Sequence, residues 1–477
     1  MTTFLSNIWS HGDRVALIDH LGQEITYNNL KNRTHNFQSL LRTFPSMAIM
    51  VCRNTVNGIV GYLSFVEMGV VPLLLPSKLP LEKIKRYISV YSPVYLYLDF
   101  YFDHKFYSVI KISDDYWLYI SKSVNSEIEI NESLRVLLTT SGSTGNPKLV
   151  RLSDNNLIIN NKMIHKSLPM EADDVALTTL PFSYSYGLSI INSHLLLGSA
   201  IQLNEFSVVQ RNFWNLLYES RSTFFGGVPF TYEQIQGIGF EKILPSSIRY
   251  LTQAGGKLPQ NILEKIRNVC QKAGIDFYVM YGQTEATARM SVLAPSDAKK
   301  HPRSIGKAIP PGRFSLSAPH AESEILDNEI GELTYHGGNV ALGYAESIHD
   351  LKRGDDWGGT LKTGDLAYIS RDGFVFHVGR LSRFIKIRGL RYSLDDIEII
   401  LSKIGLNVTA IELNDKLSLI STQICSQSVA AKELRKSLRL LSTDFQIIQV
   451  HSIPRLPTGK VDFQYLIQSL NTKTLEP

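Results

Sequence analysis

The chain has 477 residues, of which 44% are hydrophobic and 19% charged; that is the balance of a folded protein with room for two or three domains, and it argues against disorder. Net charge is +5, from 49 basic and 44 acidic residues. With no dense basic run, nucleic-acid binding is not indicated, and a pI near 8.8 only mildly favours anionic ligands. Cys52, Cys270 and Cys425 lie far apart without metal-ligand spacing, which argues against a zinc site or disulfide framework and fits a reduced, cytoplasmic setting.

Residues 1–10 lack the basic-then-apolar pattern of a signal peptide. Apolar β-like runs then alternate with helix-length segments. The runs are Ala48–Cys52, Val70–Leu75, Val94–Leu98, Val136–Thr139, Val175–Leu180, Ala200–Leu203 and Phe277–Met280. The predicted helices are Asn28–Leu41, Leu81–Val90, Asp154–Lys166, with Asp154 as its N-cap, and Pro259–Ala273. Such alternation predicts an α/β architecture with largely parallel sheets. The most apolar stretch, Ile59–Pro76, is broken by Glu67, glycines and prolines, so it reads as a helix and a buried strand and no membrane span is expected. Ile369–Val378 predicts a hairpin turning at Asp372-Gly373. A domain boundary is expected near 380, giving domains 1–380 and 381–477. Beyond it, Phe384–Arg388 predicts a strand with Lys386 and Arg388 on one face, and Ser393–Lys403 a helix capped by Ser393. The polar tail after Leu470 is expected to fray.

Five short segments carry chemistry. The first, Thr139-Thr-Ser-Gly-Ser-Thr-Gly-Asn-Pro-Lys148, follows the run Val136–Leu138 and gathers hydroxyls, two glycines and a lysine. Such a loop presents backbone N–H groups, O–H groups and an ammonium to a polyphosphate. Gly142 and Gly145 are too closely spaced for the P-loop of NTPases, and alone the stretch is equally a surface loop. The second, Tyr281-Gly-Gln-Thr-Glu285, ends an apolar run; Tyr281 can stack on a base, and one carboxylate suffices for a Mg²⁺ that also binds substrate phosphates. The third, Thr363-Gly-Asp365, offers a carboxylate to ribose hydroxyls, or is an ordinary turn. The fourth, Gly379–Arg391, has five cations in thirteen residues: a solvated strand face, or a hinge with an anion-binding edge. The fifth, Leu456-Pro-Thr-Gly-Lys460, presents a lysine on a loop.

In order and content these segments resemble the adenylate-forming superfamily over essentially the whole chain. That family includes acyl- and aryl-CoA synthetases, luciferase and the adenylation domains of nonribosomal peptide synthetases. Gln253-Ala-Gly-Gly256 resembles its adenine segment, and Gly331-Glu-Leu333 with Gly343-Tyr344 matches a further stretch. The resemblance implies a large N-terminal domain of parallel-rich sheets with helices plus a distorted β-barrel subdomain, followed by a small mobile α+β C-terminal domain. It implies ATP-dependent activation of a carboxylic acid to an acyl-adenylate, then transfer to a thiol. It makes Thr140, Ser141, Gly142, Ser143, Thr144, Gly145, Lys148, Gly255, Gly256, Tyr281, Gly282, Asp365, Arg380 and Arg391 the ATP-binding residues. Glu285 and Thr144 are the implied Mg²⁺ ligands, and Lys460, Glu285 and Thr284 the catalytic residues. Tyr184, Ser185, Gly227 and Gly389 would line the acyl pocket and tunnel, with small residues in Phe225–Pro229 leaving room for the acid. Ser382 would be the hinge about which the C-terminal domain rotates between half-reactions, at a position where relatives usually carry Asp or Lys.

Two departures bear on substrate. Tyr184 stands where CoA ligases often have His, and Ser185 where amino-acid-activating domains usually have Asp, which disfavours an α-amino acid because a buried ammonium needs a carboxylate. No Gly-x-Asp-Ser-Leu carrier site occurs, so CoA or the phosphopantetheine of a separate carrier protein is the expected acceptor, the free-standing carrier-protein ligase being attractive. The alternatives are an adenylate-forming enzyme with a non-thiol acceptor, a luciferase-type oxygenase, and a non-catalytic nucleotide-binding relative.

Overall fold

The computed structural model describes residues 4–42, 45–123, 129–139, 148–239, 241, 243–317, 330–381, 383–388, 390–414, 416–456 and 459–472. They divide into two compact units: residues 1–314 with 335–361, and residues 315–334 with 362–477. The segment 362–380 therefore goes with the C-terminal part in this division.

Two large sheets organise the first unit. One runs, edge to edge, Lys307–Ala308, Ser291–Leu293, Asp276–Tyr281, Tyr250–Gln253, Phe224–Gly227, Val175–Leu177, Ala200–Gln202, Val15–Ile18, Glu24–Thr26. From Asp276–Tyr281 through Val15–Ile18 its neighbours pair in parallel. The other runs Gly343–Ala345, Leu149–Ser153, Leu134–Thr139, Val70–Pro76, Ser46–Cys52, Tyr95–Leu98, Trp117–Ser121, Tyr107–Lys111. Ser46–Cys52, Val70–Pro76 and Tyr95–Leu98 are parallel and entirely or almost entirely buried, which is why they read as unbroken apolar runs. One continuous core joins Leu17 and Ile201 of the first sheet, Met50 and Leu74 of the second, and Tyr62, Leu157 and Ile191 from three helices packed with both. Ile59–Pro76 is the end of the helix Val56–Glu67 followed by the strand Val70–Pro76. Among the described residues no helix is long and apolar enough to cross a membrane.

The helices follow their predicted spans: Tyr27–Gln38, Leu81–Tyr91, Asp154–Ser167 and Gln260–Ala273. The cap of the third is a correction. Ser153, not Asp154, accepts from Asn156 N and forms a capping box; Asp154 is the first helical residue and its carboxylate pairs with buried Arg135 at 2.5 Å and takes the Phe4 N–H. The Ser153 hydroxyl is short enough to reach the third helical N–H, while Arg135 draws the carboxylate aside.

A four-stranded sheet runs Arg313–Ser317, Gly331–His336, Thr360–Ile369, Val375–Arg380. Its hairpin turns at Asp372-Gly373, with Gly373 at φ +84 and Ser370 Oγ donating to Asp372 Oδ1. Further on, Phe384–Ile387 pairs antiparallel with Leu390–Ser393, and Thr409–Leu413, Lys416–Ser421 and Phe445–Gln449 form a small mixed sheet. The helix Leu394–Ser402 is capped by Ser393 as predicted. Arg388 does not extend the strand alongside Lys386: it turns the chain at φ +50 and its guanidinium bonds Asp444 and the Arg439 carbonyl. The pull of those two acceptors outweighs the alternation read from sequence.

Candidate functional site

In the first unit the site is built at strand ends. Asp276–Tyr281 lies in the sheet between a parallel and an antiparallel neighbour and delivers Tyr281 to the edge. Gly282 follows because nothing larger fits: a Cβ there would stand 1.5 Å from the Ala288 carbonyl oxygen. A single 3-10 turn, Thr284–Ala286, carries Glu285, and Thr287 and Ala288 then take φ of +58 and +103. Left-handed non-glycine residues cost about 1–3 kcal/mol each and persist only where the surroundings impose them. Here Asn339 imposes them. Fully buried, it donates to the Ala286 and Arg289 carbonyls, its own carbonyl accepts from Thr287 Oγ1, and its side-chain oxygen accepts from Tyr335 OH. Asn160 adds a bond to the Arg289 carbonyl. Neither asparagine was singled out from sequence; Asn339 follows Gly337-Gly338 and reads there as a turn residue.

Glu285 Oε1 accepts from Tyr344 OH at 2.9 Å; its second oxygen accepts nothing from the described residues. Burial, then the Glu285 charge, hold the Tyr344 hydroxyl above its usual pKa, so it stays a donor. Trp357 packs edge-on against the Tyr344 ring at 4.9 Å. Lys148 approaches the same ring, its Nζ 5.4 Å from the centroid and 3.1 Å from Glu346 Oε1. Strand register explains the meeting: Tyr344 pairs with Val150 and Ala345 with Leu149, so the lysine that ends the hydroxyl-rich loop lands beside the tyrosine that holds Glu285. The Lys148–Glu346 pair is half-exposed; such pairs contribute about 0–1 kcal/mol, which leaves the lysine easy to recruit to a phosphate. Thr140–Pro147, the rest of that loop and Thr144 with it, lie outside the described residues.

The acid-side residues assemble nearby. Gly187 lets the helix Ser185–Leu197 start tightly, since a Cβ there would be 2.3 Å from the Pro181 carbonyl oxygen. Ser185 Oγ is 3.1 Å from Thr284 Oγ1, tying this turn to the Glu285 loop. The Tyr184 hydroxyl lies 2.7 Å from where a Gly255 Cβ would be, and Val228 is 3.1 Å from that point, so the tyrosine spans the adenine-like segment and the Phe225–Pro229 wall. Gly255, at φ +85, and Gly256 are held by Gln253 Nε2 on the Gly256 carbonyl. The room expected at the glycines of that wall is taken. A Gly226 Cβ would be 2.7 Å from Tyr186 OH, and a Gly227 Cβ 2.8 Å from the Tyr232 ring. They are small in order to admit tyrosines, and space for an acid is to be sought elsewhere.

Arg289, unremarked in the sequence, is only 2% exposed. Its guanidinium lies over the Tyr186 ring, 5.2 Å from the centroid, and Nε and Nη1 have no hydrogen-bond partner among the described residues. Burial lowers its pKa, yet an arginine stays charged. A desolvated cation–π contact contributes about 2 kcal/mol, less than the several kcal/mol that burying an ion costs.

In the second unit, Asp365 is 1% exposed and pairs with Arg380, whose Nε is 2.9 Å from Oδ1; His377 Nε2 lies 3.6 Å from the same oxygen. Hairpin register places Asp365 opposite Arg380, and Gly364 at φ +70 and the Thr363 hydroxyl, which accepts from Asp365 N, set the turn. Lys460 is half-buried at the end of a tight loop: Leu456 N donates to its carbonyl at 2.8 Å, Gly459 is at φ +79, and Arg455 bridges to Val461. Ser382 and Gly389 lie outside the described residues, as does the Arg391 side chain, although Arg391 pairs with Lys386 in the two-stranded sheet.

Residues 6–345 match the family model for AMP-binding enzymes. The chain belongs to that family. Among similar proteins, the 2-succinylbenzoate–CoA ligase of Oceanobacillus iheyensis is 24% identical over 476 residues, covering 94% of this chain and 95% of that one. Gramicidin S synthase 2 of Brevibacillus brevis is 24% identical over 471 residues, 92% of this chain but 10% of that protein. Among solved structures, Bacillus subtilis o-succinylbenzoate CoA synthetase with its acyl-adenylate intermediate has a TM-score of 0.79 at 21% identity, covering 98% of both chains. ATP-bound MatB of Rhodopseudomonas palustris has a TM-score of 0.77 at 19% identity, covering 98% of this chain and 99% of that one. This AMP-binding enzyme thus has the two-part α/β fold of adenylate-forming proteins. It is an AMP-forming acid–thiol ligase: ATP activates a carboxylic acid as the acyl-adenylate, and the acyl group passes to a thiol.

Proposed function

We propose that Glu285, Lys148, Asp365 and Lys460 carry this reaction in the chain, with CoA as the thiol acceptor. The observation that supports the reading best is the meeting of Glu285 and Lys148 on Tyr344. The difficulty of adenylation is charge: a carboxylate attacks the α-phosphate of a polyanion, so catalysis is positioning plus electrostatic stabilisation.

Glu285 fits a Mg²⁺ arriving with ATP. It is a hard oxygen donor fixed through one oxygen with the other unengaged by the described residues, and Mg²⁺ takes one or two protein carboxylates beside substrate phosphates. The ion supplies neutralisation of the developing pyrophosphate. Thr144 is the second proposed ligand. Tyr344 keeps the Glu285 carboxylate oriented, and Lys148 exchanges Glu346 for a phosphate oxygen. Thr140–Gly145 cradle the phosphates, while Tyr281, Gly282, Gly255 and Gly256 bound the base. Asp365 accepts the ribose hydroxyls, steadied by Arg380, and Arg391 meets phosphate. Lys460 bridges the attacking carboxylate and the α-phosphate, then leaves as residues 381–477 turn about Ser382 and bring Gly389 to the acyl tunnel beside Tyr184 and Ser185.

CoA is preferred to a carrier protein because the relative matched along its whole length is named a CoA ligase, whereas the synthase match covers one-tenth of that protein. Acid-dependent ATP–pyrophosphate exchange, followed by AMP release with CoA or with a phosphopantetheinylated carrier, tests both steps. An acid that drives exchange and CoA-stimulated AMP release are the expected results. Release only with the carrier reassigns the acceptor, and silence with every acid favours a nucleotide-binding relative without activity.

A further inference from the structure

Within the first unit, Arg151 stands on the strand Leu149–Ser153, three residues beyond Lys148, and pairs across the ladder with Gly343, the neighbour of Tyr344. Its side chain is fully buried. A Gly343 Cβ would lie 2.9 Å from Arg151 Nη2 and 2.6 Å from Asp356 Oδ2, and Gly343 holds φ +130. Position 343 is bare so that guanidinium and carboxylate can lie against the backbone there. The fork then serves two separate segments. Nη2 donates to the Leu342 carbonyl at 3.1 Å and to Asp356 Oδ2, and Nη1 donates to the Arg353 and Gly354 carbonyls at 2.6 and 3.2 Å.

Each segment delivers one ring to the Glu285 site. Leu342 leads to Tyr344, whose hydroxyl donates to Glu285 Oε1, and Ala341 N donates to the Glu285 carbonyl at 2.9 Å. Asp356 precedes Trp357, which is seated by the bonds that Asp355 Oδ1 accepts from Trp357 N and Gly358 N. Asp356 N in turn donates to the Leu342 carbonyl at 2.8 Å. The two rings then meet edge to face at 4.9 Å. Arg151 is the buried joint that sets the spacing between them. Stability is a poor reason for it, because a buried ion pair contributes little beyond well-packed apolar residues of like volume, and often less. What a planar guanidinium adds is geometry, with several donors in fixed directions, whereas an ammonium is a point charge on a flexible stem. Removing Arg151 does not strand Asp356, whose side chain is 27% exposed and keeps Arg353 at 3.0 Å.

We propose that Arg151 is a positioning residue for the metal that arrives with the nucleotide: through the Tyr344 ring and the Trp357 packed on it, Arg151 fixes the direction of the Glu285 carboxylate, and it touches neither ATP nor the acid. This rests on the reading of Glu285 as a Mg²⁺ ligand. Groups that orient a metal-binding carboxylate are worth about 10–100-fold in metal affinity or activity. Because Arg151 acts through Tyr344, its loss adds little once the Tyr344 hydroxyl is gone; such non-additivity marks residues that act in one chain of contacts.

The test uses the full chain. Binding of Mn²⁺ in the presence of ATP and the absence of acid, followed by electron paramagnetic resonance, reads the site apart from turnover; ATP–pyrophosphate exchange across a Mg²⁺ series reads it during turnover. Arg151→Met is expected to weaken Mn²⁺ binding by about 10–100-fold, with the loss in exchange partly recovered at high Mg²⁺ and the KM for the acid unchanged. Arg151→Lys, which keeps the charge and the stem, should recover only part of the binding, and it carries the comparison should Arg151→Met not fold. The double variant Arg151→Met with Tyr344→Phe should bind Mn²⁺ about as tightly as Tyr344→Phe alone. Glu285→Gln is the control: if it binds Mn²⁺ and ATP as the wild type does, the metal reading fails and the proposal with it. If Glu285→Gln loses the ion while both Arg151 variants keep wild-type affinity, the proposal alone is overturned, and a lower melting temperature in those variants would then make Arg151 a structural residue only. Losses from Arg151→Met and Tyr344→Phe that add in full would place its action elsewhere and contradict the proposal.

Discussion

Single residues decide where charge is tolerated. Tyr344 fixes Glu285 with one hydrogen bond to a charged group, a bond of about 1.5–3 kcal/mol. Tyr344→Phe should therefore lower kcat/KM for Mg-ATP by roughly 10–100-fold, with the loss partly recovered at high Mg²⁺; exchange rates measured across a Mg²⁺ series would reveal it, and an unchanged Mg²⁺ dependence would separate Tyr344 from the ion. Glu285 and Lys148 were singled out from the sequence through their loops and the family resemblance, and the structure brings both to Tyr344. Arg289, Asn339 and Asn160 were not. Their significance lies in what long-range pairing sets around them: an arginine two positions before a strand is unremarkable until Tyr186 closes over it, and Asn339 matters because it gathers Ala286, Thr287 and Arg289 from some fifty residues away.

At the scale of elements, spacing gave helices well and caps less well. Ser153 and Asp154 are both good caps by type, and only the competing partner Arg135 selects between them. The Glu285 loop is the element most constrained by backbone. Gly282→Ala would press a methyl group into the Ala288 carbonyl, so the loop must shift. Near-total loss of exchange is expected while melting falls by only a few degrees, because the clash is confined to one loop; an active Gly282→Ala enzyme would mean the loop geometry is not needed. The helix Ser185–Leu197 carries a second liability, since burial lowers His194 to about 4 from 6.5. A histidine depressed in the folded state takes up its proton more readily when unfolded, so its contribution is present above pH 6.5 and is lost as pH falls towards 4. A shift of that size is on the order of 3 kcal/mol. Urea midpoints should fall steeply over this window in the wild type and less steeply in His194→Gln; parallel curves would show that another group sets the acid limit.

At the scale of the whole molecule, the alternation of runs and helices predicted the α/β class, because buried parallel strands are apolar along their whole length. It did not predict how residues 315–334 join 362–477 in one compact unit, since that pairing crosses a long stretch of intervening chain. The most direct measurement is acid-dependent ATP–pyrophosphate exchange by Lys460→Met beside the wild type, with nucleotide binding followed in parallel. The account predicts a fall of at least roughly 10²–10³-fold, as for loss of one group that stabilises developing charge, with ATP bound about as tightly as before. Exchange at the wild-type rate in Lys460→Met would contradict it.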